Sequence, residues 1–145
     1  MTRIALASDH AGYRLKLALK SHLIAEGLEV QDFGTNSETP VDYPDFIRPA
    51  AVSVAEGRND LGVVVGGSGN GEAMVANKVR GIRCAVCWSR ESARLAKEHN
   101  DANMISLGAR LIAEPKALAI VDTWLYARFQ GGRHIRRLEK MEEPS

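Results

Sequence analysis

The chain lacks a dominant charge. Nineteen Lys and Arg stand against eighteen Asp and Glu, for a formal net charge of +1. A broad electrostatic grip on nucleic acid needs a strongly basic face, so that class is set aside. Long apolar runs are missing as well. No stretch approaches the roughly 20 residues that a membrane helix needs. The chain starts Met1-Thr2-Arg3 and passes directly into a strand-like run, without the pattern of a secretory signal. A cytoplasmic protein is expected. Cysteine is nearly absent, with only Cys84 and Cys87. They form a CxxC, but it lies inside an apolar run, and neither a second pair nor an HxxxH follows. This is not the pattern of a zinc site or a redox helix. Both read as small residues packed in or beside a buried strand, and free thiols fit a reducing compartment.

What remains is an ordinary globular composition, 45% hydrophobic and 26% charged, over 145 residues. That is one domain's worth, residues 1–145, able to fold on a hydrophobic core alone. Strand-like runs are expected at Arg3–Ala7, Leu28–Phe33, Leu61–Val65, Ile82–Trp88 and Met104–Leu107. Helices are expected between them. Tyr13–Glu26 sets Leu15, Leu19 and Leu23 on one face and Lys16 and Lys20 on another. A second opens at Pro44, with Phe46, Ala50, Ala51 and Val54 as its apolar face. Glu72–Val79, Arg90–His99 capped by Ser89, and Lys116–Phe129 after Pro115 follow, and a short basic helix comes after Gly131-Gly132. Strands alternating with helices imply parallel βαβ units and a sheet covered on both faces. The fold class is α/β, a three-layer α/β/α sandwich on a five-stranded, parallel, Rossmann-like sheet. No linker, internal repeat or low-complexity segment interrupts it.

In such sheets ligands bind beyond the carboxyl ends of the strands. Ser8-Asp9-His10-Ala11-Gly12 follows the first strand. An acid beside an imidazole suits acid/base work or anion binding, and Asp9 equally suits a helix cap. Gly66-Gly67-Ser68-Gly69-Asn70-Gly71-Glu72 follows the third, with four glycines in six residues. Backbone N–H groups of such a loop can converge on one point, and the helix start adds partial positive charge. This is an anion nest, or else a tight turn that needs glycine. The dinucleotide fingerprint and the P-loop lysine are both missing. Glu72 puts a carboxylate beside the nest, as proton abstraction requires. His99-Asn100-Asp101-Ala102-Asn103 and Gly108-Ala109-Arg110 bracket the fifth strand. Arg133 and Arg137 share one helical face and suit a phosphate, or belong to a solvated basic tail. His22 reads as a surface residue.

Together the segments SDHAGYRLK, DYPDF, GGSGNGE, ANKVRGIRCAVCW, EHNDANMISLGAR and GGRHIRR span nearly the whole chain. They resemble the ribose-5-phosphate isomerase B family, which includes related sugar-phosphate isomerases. The resemblance implies a homodimer with two interface sites, possible assembly to a tetramer, a small phosphorylated sugar as substrate, and neither cofactor nor metal. It implies that His10, Arg133 and Arg137 bind the phosphate together with Arg110 of the partner subunit. Asp9 and Tyr43 line the sugar. His99, supplied by the partner, assists ring opening, and Asn100 contacts substrate beside it. The backbone of Gly67, Ser68, Gly69, Asn70 and Gly71 stabilises an enediolate. His134 matches the pattern without an assigned role. One branch of the family has a cysteine base where this chain has Gly66; the other uses a glutamate after the glycine loop, which fits Glu72. The implied activity is aldose–ketose isomerisation, by default of ribose 5-phosphate, with four- and six-carbon sugar phosphates as alternatives. Two rival readings are a nucleotide- or flavin-binding oxidoreductase, opposed by the missing fingerprint, and a non-catalytic sugar-phosphate sensor, opposed by the repulsion Glu72 would exert on a phosphate.

Overall fold

The structure is a computed structural model and describes residues 1–144. Its strands are β1 (Arg3–Ser8), β2 (Glu29–Asp32), β3 (Leu61–Gly66), β4 (Cys84–Val86) and β5 (Met104–Gly108). Its helices are α1 (Tyr13–Ala25), α2 (Pro44–Ala55), α3 (Asn70–Asn77), α4 (Arg90–Asn100), α5 (Glu114–Tyr126) and α6 (Arg133–Met141). All strand pairs are parallel, in the order β2-β1-β3-β5-β4. No helix among the described residues is long and apolar enough to cross a membrane.

Alternation along the strands builds the two faces. Ile4 and Leu6 join Leu15, Leu19 and Leu23 of α1, Ala93 and Ala96 of α4, and Ile120, Val121 and Trp124 of α5 in one core. Ala5 and Ala7 point the other way, to Ile47, Ala50, Ala51 and Val54 of α2 and to Ala73 and Ala76 of α3. The sheet is thus the middle of three layers, and α6 stands outside them, packed on α4. Because every strand runs the same way, the loops after β1, β3 and β5 emerge together. The chain reverses its direction of growth between β1 and β3, so the loops after these two flank a crevice.

Several local expectations are corrected. α2 buries Ile47, while Phe46 is only partly buried and packs over Gly34. α3 begins at Asn70, two residues before Glu72, because Gly69 takes a left-handed φ of 86° and turns the chain into the helix. β4 is shorter than Ile82–Trp88. Side chains satisfy the backbone on either side of it: Arg83 N–H donates to Asn103 Oδ1 at 2.8 Å and Trp88 N–H to Ser92 Oγ at 3.1 Å. α5 stops at Tyr126 rather than Phe129, since Ala127 is already extended. Lys16, on a helix face apart from the leucines, is buried there. It is 0% exposed and its Nζ donates to Asp32 Oδ1 at 2.6 Å. Burial pushes the Asp32 carboxyl up, but the Lys16 hydrogen bond, the Gly34 N–H and the charges of Lys16 and Lys20 outweigh it and leave it below its ordinary range. His22 is half-buried against Glu26 and Asp122.

Candidate active site

Glu72 lies in the first turn of α3 and is only 4% exposed. Its carboxylate sits directly on the Cα of Gly66, so that a Cβ built there would overlap it. Glycine at the end of β3 is therefore what admits the side chain. Burial pushes the Glu72 carboxyl above its ordinary range, its own backbone N–H pulls back, and the charge and hydrogen bond of Asp9 push up again. Ser106 Oγ donates to Gly69 O at 2.7 Å from β5, and Ser68 Oγ accepts from Asn70 N–H at 3.2 Å. These bonds fix the glycine loop from both sides.

Around this nest the other loops close. Asp9 accepts from Gly12 N–H at 2.9 Å, just ahead of α1, and also faces Glu72. Gly12 is held close as well: a Cβ there would lie 2.6 Å from Val65 O. His10 Nδ1 accepts from Val41 N–H at 3.2 Å. A nitrogen that accepts carries no proton, which leaves Nε2 as a donor suited to an anion. The Tyr43 ring lies on Gly71, with its hydroxyl oxygen 2.7 Å from where a Cβ would stand. Arg110 donates its N–H to Gly67 O at 3.0 Å, and its guanidinium lies over Gly67. The resemblance had Arg110 entering a partner's pocket; the structure sets it against this chain's own glycine loop, because Gly108-Ala109-Arg110 leaves β5 at the same edge. Gly108 is as tightly placed, 2.6 Å from Ser68 O at the Cβ position.

His99, Asn100, Arg133 and Arg137 are not in this group. α4 runs back against the strands, so its C-terminal residues reach the opposite edge of the sheet. α5 does the same and delivers α6 there. The His99 and His134 rings stack at 4.5 Å between centroids and 17° between planes, and Gln130 N–H donates to Glu98 O at 2.9 Å. The arginines of α6 therefore belong with His99, not with His10 of the same chain as expected. The five residues of β5 span about 16 Å, which separates the two groups by more than a five-carbon sugar can bridge. One chain thus carries the two groups of residues at opposite edges of the sheet.

Sequence reasoning gave His134 no role, yet it is 5% exposed with an unpartnered Nε2. Burial, then Arg133, His99 and Arg137, push its pKa below the ordinary histidine value. Its place in the same turn as Arg133 and Arg137 was the available signal. Cys84 and Cys87 are both buried. Burial raises both thiols, Cys87 to about 12, so neither supplies a thiolate base.

A sequence profile of the ribose/galactose isomerase family matches residues 4–141. Ribose-5-phosphate isomerase B of Escherichia coli K12 is 42% identical over 139 residues, 96% of this chain and 93% of that protein. The protein of the same name from Mycobacterium tuberculosis H37Rv is 43% identical over 143 residues, 97% and 88%. The solved ribose-5-phosphate isomerase B of Clostridium thermocellum superposes with a TM-score of 0.96 at 49% identity, covering 97% of this chain and 95% of that one. That of Mycoplasma genitalium, with bound ribulose 5-phosphate, gives 0.94 at 39%, covering 97% and 94%. With its fold, its glycine nest and its full-length likeness to these enzymes, the chain belongs to the ribose/galactose isomerase family.

Proposed function

We propose that this protein interconverts ribose 5-phosphate and ribulose 5-phosphate, with Glu72 as the base. The observation that carries the reading is the buried Glu72 carboxylate on Gly66, at the start of α3 and beside Asp9. A carboxyl raised toward neutrality is a stronger base, and a single carboxylate can take a proton from one carbon and return it to the next. Proton removal beside the carbonyl leaves an enediolate. The backbone of Gly67, Ser68, Gly69, Asn70 and Gly71 and the start of α3 face that charge without needing to reorganise. Asp9 and Tyr43 hold the sugar hydroxyls.

The protein works as a homodimer in which each nest is completed by the partner copy's other half-site. A second chain brings its own counterparts of His99, Asn100, Arg133 and Arg137 to the crevice. The imidazole opens the furanose ring. The two arginines join His10 and Arg110 on the phosphate, and binding energy from that remote group orients the reacting carbons. The chemistry belongs to pentose phosphate metabolism in the cytoplasm and needs no cofactor.

Turnover of ribose 5-phosphate, read as ketose formation, tests this. A panel of four-, five- and six-carbon aldose phosphates fixes the chain length. Purified protein without ketose formation on any of them would refute the reading, and turnover of free ribose at an equal rate would refute the phosphate anchor.

A further inference from the structure

We propose that His22, Glu26 and Asp122 form a binding site for a divalent transition-metal ion of the Zn²⁺ type, clipping α1 to α5 at the sheet edge opposite the glycine nest. His22 and Glu26 stand four residues apart at the end of α1 and so share one face. Asp122 comes from the last turn of α5. His22 Nε2 lies 2.6 Å from Glu26 Oε1 and 2.9 and 3.0 Å from the two Asp122 oxygens. One donor atom from each residue can be chosen so that all lie within 4.8 Å of one another.

Charge and donor chemistry both point to a cation. Two carboxylates face one imidazole, and among the described residues no lysine or arginine pairs with either carboxylate. Both helices end here, and their last carbonyls add partial negative charge. A proton on His22 supplies one positive charge and a divalent ion supplies two. One imidazole nitrogen with two carboxylate oxygens is a set that Zn²⁺ and its neighbours accept, with water in the fourth position. The side chains are 22–34% exposed, which leaves that position open. Tetrahedral bonds of about 2.1 Å set donors about 3.4 Å apart, so Glu26 must draw back from the imidazole by about 0.8 Å and Asp122 by about 0.5 Å. Glu26 is already oriented from outside, since the Tyr126 hydroxyl donates to its other oxygen at 2.5 Å. Metal and proton compete for the same Nε2.

The test is calorimetric titration of the full chain with ZnCl₂, and with MgCl₂ as a hard cation that this set should bind poorly. One Zn²⁺ per chain is expected, with a melting temperature several degrees higher at a hundredfold excess over Kd. His22→Gln, Glu26→Gln and Asp122→Asn should each weaken binding by at least roughly tenfold. Zinc-edge X-ray absorption of the wild-type chain should give a shell of nitrogen and oxygen only, and it decides the matter if a variant fails to fold. No saturable binding at millimolar Zn²⁺ overturns the proposal. So does binding undiminished in His22→Gln, or a sulfur shell, which would place the ion at Cys84 and Cys87.

Discussion

Gly66→Ala is the sharpest perturbation of the catalytic geometry. It adds one methyl group at a strand position with an ordinary backbone conformation, so the fold should tolerate it. The methyl would occupy the place of the Glu72 carboxylate, whereas ordinary contact at a Cβ begins at 3.4 Å. The carboxylate must retreat by about 1 Å, a misplacement that can cost about 10²-fold in rate, or about 2.7 kcal/mol of barrier. We expect kcat for ribose 5-phosphate to fall by about that factor while KM changes little, because the phosphate is held elsewhere. The control is Glu72→Gln, for which a loss of roughly 10²–10⁴-fold is expected. If the methyl acts only through Glu72, the double variant is no slower than Glu72→Gln alone. A Gly66→Ala enzyme within twofold of wild type, or a double variant that loses the product of both factors, would refute the reasoning.

Other outcomes follow from the same structure. The Glu72 carboxyl is raised in the folded chain, so its ionisation costs stability as pH rises past its ordinary range. Glu72→Gln should therefore melt higher than wild type at neutral and alkaline pH, with the gap closing as the pH is lowered; a gap independent of pH contradicts this. Inactive Glu72→Gln and His99→Asn chains, mixed and allowed to exchange, should recover roughly a quarter of wild-type activity, because each mixed dimer holds one site with both lesions and one with neither. Mixed dimers confirmed by mass spectrometry but inactive would exclude the shared site. Lys16→Met strands Asp32 without its buried partner and should cost about 3 kcal/mol in chemical denaturation. Because Asp32 is depressed in the fold, its contribution is present above the ordinary Asp pKa and is lost as pH falls through its folded value, so the variant should lose less stability on acidification than wild type.

The fold was legible because its signals are local. Apolar strands, helical leucines and glycine breaks each act within a few residues. The glycine loop and the place of Glu72 just after it were legible for the same reason. The burial of Lys16 was not legible, because its partner Asp32 lies sixteen residues away on another element. The contact of Glu72 with Gly66 and the stacking of His99 on His134 are also tertiary facts. The distance between His99 and the nest, by contrast, was implicit in the topology. A crossover helix must return to the edge where the next strand begins, so a residue at the end of α4 cannot share an edge with one at the end of β3.

The close fit of the glycines bears on how this enzyme can change over generations. Gly12, Gly66, Gly69, Gly71 and Gly108 each lie where even a methyl would meet backbone, ring, hydroxyl or carboxylate closer than 3 Å. A wall built this way has almost no neighbouring sequences that keep the same catalytic geometry. Drift at these five positions should be close to frozen, and a saturation library sorted for activity should return them as glycine. New substrate lengths must then be explored elsewhere, on the segment that carries the partly exposed Tyr43. The glycine wall would thus stay nearly immobile while the segment around Tyr43 varies.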